Sequence, residues 1–260
     1  MRTPAFWRGN GLLAAALAPL GRLYAAATAR RVARPGWHAP VPVICIGNAT
    51  AGGTGKTTVA LDIGARLIAR GLRVAFLTRG YGGRLTGRVD PTRHSAATAG
   101  DEALLLAGLA PTYAGANRAL AARMAIGAGA TCLVMDDGLQ NPTLQKQSLL
   151  VIDGAAGIGR PAKFHATLRA AGADVAGTRD FPDHHRFTAT EFAAVLEAAQ
   201  RLGAEPVTTP KDAVRLTPAQ RAKVRIAGVR LVWDDAAQRD AMLDAMLDAM
   251  PVTVTGTGTG

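Results

Sequence analysis

A glycine-rich run at residues 47–58 directly follows an apolar run at residues 41–46, a pattern typical of a buried strand that leads into a phosphate-binding loop. Glycines let backbone N–H groups approach phosphate oxygens, and the N-terminus of the following helix adds its positive dipole. The pattern predicts that Lys56 contacts the β- and γ-phosphates of a nucleoside triphosphate and that the Thr57 hydroxyl ligates Mg²⁺. The predicted nucleotide-binding residues are Thr50, Ala51, Gly52, Gly53, Thr54, Gly55, Lys56, Thr57 and Thr58.

The match to the strict phosphate-loop pattern is incomplete, because Thr50 stands where that pattern has glycine. Two further glycines, Gly52 and Gly53, partly compensate for this difference. A glycine-rich turn without a ligand would explain the glycines alone. It would not explain why Gly-Lys-Thr-Thr opens an amphipathic helix, and we therefore favour a nucleotide site.

A second apolar run, at residues 131–135, ends in Asp136-Asp137-Gly138. Carboxylates at the C-terminal end of a parallel strand lie where open α/β sheets bind their ligands. One of the two aspartates can hold the Mg²⁺ that bridges the phosphates. An acidic turn after a strand is common in isolation, but beside the glycine-rich loop a metal-binding role is favoured.

Strand and helix signals alternate along the chain, which predicts βαβ units and hence a parallel sheet. We expect an α/β fold in which a parallel-sheet core like that of the P-loop NTPases is joined to a smaller C-terminal α/β lobe. The predicted strands are residues 41–48, 73–79, 112–114, 132–135, 149–152, 175–178 and 229–233, and the predicted helices are 55–70, 101–107, 118–128, 163–171, 189–202 and 236–250. The predicted organisation is a cationic amphipathic membrane-associating arm (1–40), a P-loop nucleotide-binding and catalytic domain (41–157), the smaller C-terminal lobe (158–252) and a disordered tail (253–260).

The net charge of +11 on 260 residues indicates a polyanionic partner, which could be nucleic acid, a phospholipid surface or a phosphorylated substrate. This charge is unevenly distributed, because no acidic residue precedes Asp62. The two cysteines, Cys45 and Cys132, lie in predicted buried strands without metal-ligand spacing, and they are interpreted as core residues in a reducing compartment.

The first 40 residues combine arginines with apolar residues at helical spacing. Such a helix is suited to lie in a bilayer interface, with its arginines drawn to anionic lipid headgroups. Pro19 and Arg22 interrupt it, and it is too short to span a bilayer. A signal peptide is disfavoured, because a phosphate loop needs cytosolic nucleotide, and an ordinary helix packed on the domain remains the alternative.

Seven motifs occur together in the order of one known family, and the chain closely resembles the tetraacyldisaccharide 4′-kinases, the lipid A 4′-kinase family. The motifs are the loop at residues 47–57, Thr78-Arg79-Gly80-Tyr81-Gly82-Gly83, Gly100-Asp101-Glu102, Asp136-Asp137-Gly138-Leu139-Gln140, Gly159-Arg160-Pro161 with Lys163-Phe164, Phe181-Pro182-Asp183-His184-His185, and Lys211-Asp212-Ala213-Val214-Arg215.

The resemblance implies ATP-dependent phosphorylation of the 4′-hydroxyl of a tetraacyldisaccharide 1-phosphate, with ATP and Mg²⁺, by a peripheral protein at the cytoplasmic face of the bacterial inner membrane. It implies that Asp101 accepts the hydroxyl proton, helped by His184 or His185, while Lys56 acts on the transferred phosphate. The residues implied for metal and phosphate positioning are Thr57, Glu102, Asp136, Asp137 and Gln140. The residues implied for the sugar and its 1-phosphate are Arg79, Tyr81 and Arg118. Lys211-Asp212 is interpreted as a recognition pair for the nucleotide base, with an exposed turn as the alternative.

The chain departs from this family after Gly154, where family members continue with a further segment before the Gly-Arg-Pro motif. Here Asp153-Gly154 leads almost directly to Gly159, so an interlobe segment is missing. Asn141 also stands where histidine is usual, and Pro210 where an acidic residue is usual. The alternative function is therefore a catalytically impaired nucleotide-binding relative that lacks a complete acceptor site.

Two other classes of protein fit less well. Partitioning-type ATPases have a similar loop, but they carry a signature lysine where this chain has Ala51. A nucleic-acid binder is suggested by basicity alone, since no RRM or zinc-finger signature is present and aromatic residues do not alternate with the cations.

Overall fold

The computed structural model describes residues 18–21, 23, 26, 27, 30, 36–48, 55–151, 161–181, 185–228 and 231–249. The predicted loop residues 50–54, His184, most of the predicted arm and the tail at 253–260 lie outside these ranges. The described residues of the arm between positions 18 and 30 are helical and exposed. In the part of the chain that the structure describes, no helix combines the length and the apolar character needed to cross a bilayer.

Among the described residues, six strands form one sheet in the order β3-β4-β2-β5-β1-β6. All neighbouring pairs are parallel except β3 and β4, which are antiparallel. The predicted α/β fold with a parallel sheet is therefore confirmed. The strands are β1 (Val43–Asn48), β2 (Val74–Thr78), β3 (Gly87–Val89), β4 (Thr112–Ala114), β5 (Cys132–Asp136) and β6 (Gln147–Val151).

Helices cover both faces of this sheet, which explains why β2 and β5 are apolar along almost their whole length. On one face, Ile63 and Leu67 of α1 pack with Phe76 of β2 in one buried cluster. On the other face, Ala121 and Ala125 of α4 belong to a second cluster. The helices of this part of the chain are α1 (Lys56–Ala69), α2 (Ala96–Ala99), α3 (Asp101–Ala107) and α4 (Arg118–Gly127).

The remaining elements follow β6. They are α5 (Pro161–Ala170), α6 (Ala189–Arg201), β7 (Val207–Thr208), α7 (Pro210–Ala213), α8 (Pro218–Arg221), β8 (Arg225–Ile226) and α9 (Ala236–Asp248). Strands β7 and β8 form a separate parallel pair. The predicted strand at residues 175–178 is wrong, since those residues are irregular. The strand predicted at 229–233 is wrong for its described residues, 231–233, which are also irregular.

Helix α9 packs against α1. Leu243 is fully buried in the cluster that contains the apolar face of α1. Arg70, just after α1, forms ion pairs with Asp240 at 3.0 Å and Asp244 at 2.7 Å. Helix α9 thus packs beside the parallel sheet. The predicted domain boundaries stay a prediction.

Candidate active site

The end of the predicted phosphate loop and the acidic turn lie side by side. Strands β1 and β5 are parallel neighbours in which Ile46 is paired with Asp136, so the segments that follow them meet at the C-terminal edge of the sheet. The Thr57 hydroxyl donates a hydrogen bond to Asp136 Oδ2 at 2.9 Å. Lys56 Nζ lies 2.7 Å from Asp137 Oδ1. These four residues were predicted from the sequence to act together, and the structure brings them together.

The backbone conformations of Gly55 and Asp137 explain how the chain turns at the start of α1 and after β5. Gly55, directly before α1, has a φ of 77°, a left-handed conformation that favours glycine. Asp137 also has a positive φ of 55°, which aspartate tolerates better than most residues. Its N–H donates to Ile46 O at 2.9 Å, and this bond holds the acidic turn against β1. At Gly138 a Cβ atom would clash with the side chain of Met135, so a larger residue there would require Met135 to move.

Asp136 lies in a dry environment with an incomplete set of partners. Burial raises the pKa of its carboxyl to about 6, the Thr57 hydroxyl opposes this rise, and the charges of Asp137 and Glu102 add to it. Asp136 Oδ1 and Glu102 Oε2 are buried and have no hydrogen-bond partner among the described residues. Buried carboxylate oxygens without donors are costly to maintain, and this arrangement is suited to a cation that they would ligate.

The predicted magnesium ligands fit a magnesium ion in part. Thr57, Asp136 and Glu102 offer a hydroxyl and two carboxylates, which suits an ion that is usually held by few protein ligands and by substrate phosphates. Among the residues with described positions, no group of three or more His, Cys, Asp or Glu side chains is arranged to hold a metal. Asp137 is instead engaged by Lys56, and Gln140 is exposed in the following turn.

Asp101, the predicted proton acceptor, is the first residue of α3 and is buried against a guanidinium. Arg215 Nε donates to Asp101 Oδ1 at 3.0 Å, and Arg215 Nη2 donates to Asp101 Oδ2. The third nitrogen, Nη1, donates to Asp212 Oδ1 at 3.0 Å. Lys211 Nζ lies 3.4 Å from Glu102 Oε1. Lys211 and Asp212 were interpreted as a base-recognition pair. In this structure Lys211 lies against Glu102 of α3, and Asp212 accepts from Arg215.

His185 takes part in the start of α6. Its Nε2 lies 3.2 Å from Glu191 Oε2, and Glu191 also accepts hydrogen bonds from the backbone and side chain of Thr188. The His185 ring stacks on Phe181 with centroids 5.0 Å apart and meets Phe187 edge to face. These contacts make His185 part of a helix cap and an aromatic cluster.

A cavity of about 370 Å³ lies beside the C-terminal ends of β2 and β4, and two arginines are among its lining residues. The cavity is lined by Arg79, Tyr81 and Arg84 together with backbone from the neighbouring glycines. Arg118 Nη1 donates to the carbonyl of Gly115 in the cavity wall. Burial and the charge of Arg79 lower the pKa of Arg118 to about 10, while the charges of Asp137 and Asp136 oppose this effect. The three predicted acceptor-binding residues thus lie near one another, and Arg84 joins them.

Asn141, which stands where the resembled family usually has histidine, joins the acidic turn to the helix that carries Arg118. Its Nδ2 donates to Ala116 O at 2.9 Å, and its Oδ1 accepts from Thr143 Oγ1 at 2.7 Å. Thr143 Oγ1 in turn accepts from the Arg118 N–H at 3.1 Å. Lys146 Nζ donates to Asn141 O at 2.6 Å. Arg215 was also missed as a site residue, although it ends one of the seven motifs.

Comparison with known proteins gives one consistent result. The family model described as tetraacyldisaccharide-1-P 4′-kinase matches residues 13–156 and 154–248. A tetraacyldisaccharide 4′-kinase of Gluconacetobacter diazotrophicus is 45% identical, with 94% of this chain and 97% of the relative covered. The protein of the same description from Methylobacterium radiotolerans is 43% identical over 91% of this chain and 96% of its own.

A solved structure with a similar fold is the "apo" form of LpxK from Aquifex aeolicus in complex with ATP, with a TM-score of 0.68 and 19% identity. The match covers 91% of this chain and 100% of that one.

The comparisons also bear on the missing interlobe segment. The two parts of the family match meet at residues 154–156. The alignment with the Gluconacetobacter diazotrophicus protein extends over 318 positions, whereas this chain has 260 residues. Residues of that relative therefore have no counterpart here, which agrees with the omission predicted after Gly154.

Proposed function

The chain belongs to the tetraacyldisaccharide-1-P 4′-kinase family, and we propose that it transfers the γ-phosphate of ATP to the 4′-hydroxyl of a tetraacyldisaccharide 1-phosphate. Membership confirms the resemblance predicted from the seven motifs. The observation that carries the activity is the contact of Lys56 and Thr57 with Asp137 and Asp136 at the ends of two adjacent parallel strands. This is the arrangement that phosphate-loop enzymes use to position a triphosphate and its metal.

In this proposal, residues 50–58 bind the triphosphate of ATP. Lys56 has three donor hydrogens, so it can keep its bond to Asp137 and still donate to the β- and γ-phosphates. Thr57, Asp136 and Glu102 would hold Mg²⁺, since they combine a hydroxyl with two buried oxygens that lack donors among the described residues. Bound Mg²⁺ would neutralise charge on the phosphate oxygens. Asp137 and Gln140 complete the predicted set near this site.

Arg79, Tyr81 and Arg118 would bind the acceptor sugar and its 1-phosphate. Guanidinium groups match phosphate oxygens in geometry and charge, and the cavity beside Arg79 and Tyr81 is open to a ligand. The 4′-hydroxyl oxygen attacks the γ-phosphorus, its proton passes to Asp101, and ADP leaves. His184 or His185 assists Asp101 as a hydrogen-bonding partner.

The test is transfer of radiolabelled phosphate from ATP to the purified lipid disaccharide 1-phosphate. We expect a doubly phosphorylated lipid with the full-length chain, and loss of about 10²-fold or more in Asp101→Asn, which is nearly isosteric but cannot accept the proton. Lys56→Met is expected to lose transfer comparably, because no ammonium group then contacts the β- and γ-phosphates. ATP binding by the wild-type chain without transfer to the lipid would contradict the kinase proposal and favour the impaired alternative.

We further propose that the protein acts as a peripheral protein at the cytoplasmic face of the bacterial inner membrane. Residues before Asp62 are cationic without acidic counterparts, and the described part of the arm exposes Leu20 and Leu23 by 63% and 69%. Such a segment binds anionic lipid through charge and through apolar insertion.

Flotation with vesicles tests this location. We expect the wild-type chain to float with vesicles that contain anionic lipid and to float less with purely zwitterionic vesicles. Leu20→Ser with Leu23→Ser should weaken flotation, whereas Leu202→Ser, a change at a leucine exposed by 54% in another region, should not. Equal behaviour of the two variants would overturn the role of the arm.

A further inference from the structure

The carboxylate of Asp101 is held by a residue 114 positions away in the chain. Both Asp101 oxygens accept from Arg215, one from Nε and one from Nη2. The side chains of Arg215 and Asp101 are only 4% and 5% exposed, so water competes little for this contact. A two-point contact of this kind fixes orientation as well as distance.

The orientation of Arg215 is itself fixed from a second side. Its Nη1 donates to Asp212 Oδ1 at 3.0 Å, and Asp212 accepts from the Thr209 hydroxyl at 2.8 Å at the start of α7. All three guanidinium nitrogens thus have a carboxylate partner. The guanidinium plane is therefore determined by the segment that carries it rather than by Asp101 alone.

The same segment makes a parallel contact with the next residue of α3. Lys211 Nζ lies 3.4 Å from Glu102 Oε1, while Val214 packs on the apolar cluster that contains Ala103 and Leu104. Two consecutive acidic residues of α3 are thus each paired with a basic residue of one short segment, residues 211–215.

A proton acceptor must present a lone pair to the hydroxyl at a defined angle. A carboxylate has about four acceptor positions in its plane, and a guanidinium fork that engages both oxygens sets this plane. Any further hydrogen-bond donor to Asp101 must then approach in the plane of the carboxylate, from the sides that Arg215 does not cover. The fork thus determines the direction from which an acceptor hydroxyl can reach Asp101.

We propose that Arg215 is a positioning residue for Asp101, whose two-point contact orients the carboxylate toward the acceptor hydroxyl. This inference rests on the proposed kinase function, in which Asp101 accepts the hydroxyl proton. Arg215 touches neither nucleotide nor sugar in this role, and it acts only through Asp101.

The experiment measures kcat and KM for ATP and for the lipid acceptor in Arg215→Lys and Arg215→Met, with rates expressed per ATP-binding site. We expect kcat to fall by about 10- to 100-fold in Arg215→Met, the value of a charge-assisted hydrogen bond, while KM for ATP stays within about twofold. Arg215→Lys should recover only part of kcat, because an ammonium is a single-point donor and cannot form the fork.

Val214→Ala is the matched control for a purely structural role. It weakens the packing of the same segment without removing any contact of Asp101, so we expect a lower melting temperature and an unchanged kcat per ATP-binding site. Normal kcat in Arg215→Lys and, where it folds, in Arg215→Met would overturn the inference while leaving the kinase proposal intact. A wild-type chain that binds ATP but transfers nothing to the lipid would overturn both.

Discussion

Thr57 and Asp136 are joined by a 2.9 Å hydrogen bond across 79 residues of sequence. The bond exists because β1 and β5 are adjacent and parallel, so that the first turn of α1 faces the end of β5. The Asp136 carboxylate is thereby held in a buried position with its second oxygen lacking a donor among the described residues. The site therefore contains a charge that destabilises the folded protein and that a bound cation would compensate.

Asp136→Asn is expected to stabilise the fold and to lower the rate of phosphate transfer. The pKa of Asp136 is raised to about 6, so the folded state favours the neutral carboxyl, and the stability that this group contributes is lost as pH rises from about 4 through about 6. At pH 8 the neutral amide should therefore raise the free energy of unfolding by roughly 1–3 kcal/mol, and at pH 4 it should make little difference. Urea unfolding without nucleotide or magnesium at both pH values measures this.

The control for this prediction is Asp137→Asn. The side chain of Asp137 is 68% exposed, and its ion pair with Lys56 is screened by solvent, so its removal should change stability little at either pH.

Phosphate transfer should fall by about 10²-fold or more in Asp136→Asn, because an amide is a weaker ligand for a hard cation. A destabilised Asp136→Asn protein at pH 8 would contradict the argument.

The contact between the start of α1 and the acidic turn could be predicted because its signals are local. An apolar run, a glycine loop and an acidic turn each occupy consecutive residues, and parallel pairing then brings Thr57 and Asp136 together. The contact between Asp101 and Arg215 could not be predicted in this way, since no periodicity or spacing relates α3 to a segment more than 100 residues later. The pairing of Lys211 with Glu102 could not be predicted from the sequence for the same reason.

Errors of secondary structure have a similar origin. Residues 175–178 were predicted as a strand from a short apolar stretch, but the stretch contains Gly177 and is irregular in the structure. The real strands of the last third, Val207–Thr208 and Arg225–Ile226, have two residues each, which is too short for any period to be visible. The helix at residues 236–250 was predicted from its local sequence, but the packing of α9 on α1 depends on tertiary contacts such as that of Arg70 with Asp244.

Asn141→Ala is expected to loosen the acceptor half of the site. The change removes a donor to Ala116 O and the acceptor of the Thr143 N–H and hydroxyl. Ala116 is exposed and Thr143 half-buried, so the free energy of unfolding should fall by about 0.5–1.5 kcal/mol. Because Thr143 also holds the Arg118 N–H, KM for the lipid acceptor should rise more than KM for ATP. Steady-state kinetics with each substrate varied, together with urea unfolding, measure both effects.

Thr217→Ala provides a comparison for this variant. Thr217 caps α8, because its hydroxyl accepts a hydrogen bond from Gln220 N at 3.2 Å. Loss of this cap should lower the free energy of unfolding by about 1 kcal/mol without a change in either KM. If Asn141→Ala changed both KM values equally, the proposed link between the acidic turn and Arg118 would be wrong.

Gly64→Ala is expected to destabilise the protein although alanine favours helix. A Cβ atom at Gly64 would lie 2.4 Å from Phe76 Cζ, so α1 would have to move away from β2. Such overpacking typically costs about 1–3 kcal/mol, more than the gain of about 1 kcal/mol in helix propensity. Gly127→Ala in α4 meets nothing within 4 Å and should be neutral or stabilising. The melting temperature should therefore fall in Gly64→Ala and stay unchanged or rise in Gly127→Ala. A melting temperature of Gly64→Ala equal to or above that of wild type would show that close packing on Phe76 does not matter.

His185→Gln is expected to affect stability more than phosphate transfer. His185 contacts Glu191 at 3.2 Å and packs against the rings of Phe181 and Phe187, so its replacement disturbs the start of α6. The melting temperature should fall, while kcat per ATP-binding site should stay within about threefold of wild type, since a structural role does not change the reacting groups. His184→Gln is the matched variant, because it changes the neighbouring histidine of the same motif. A loss of about 10²-fold in His185→Gln with no loss in His184→Gln would instead assign the assisting role to His185.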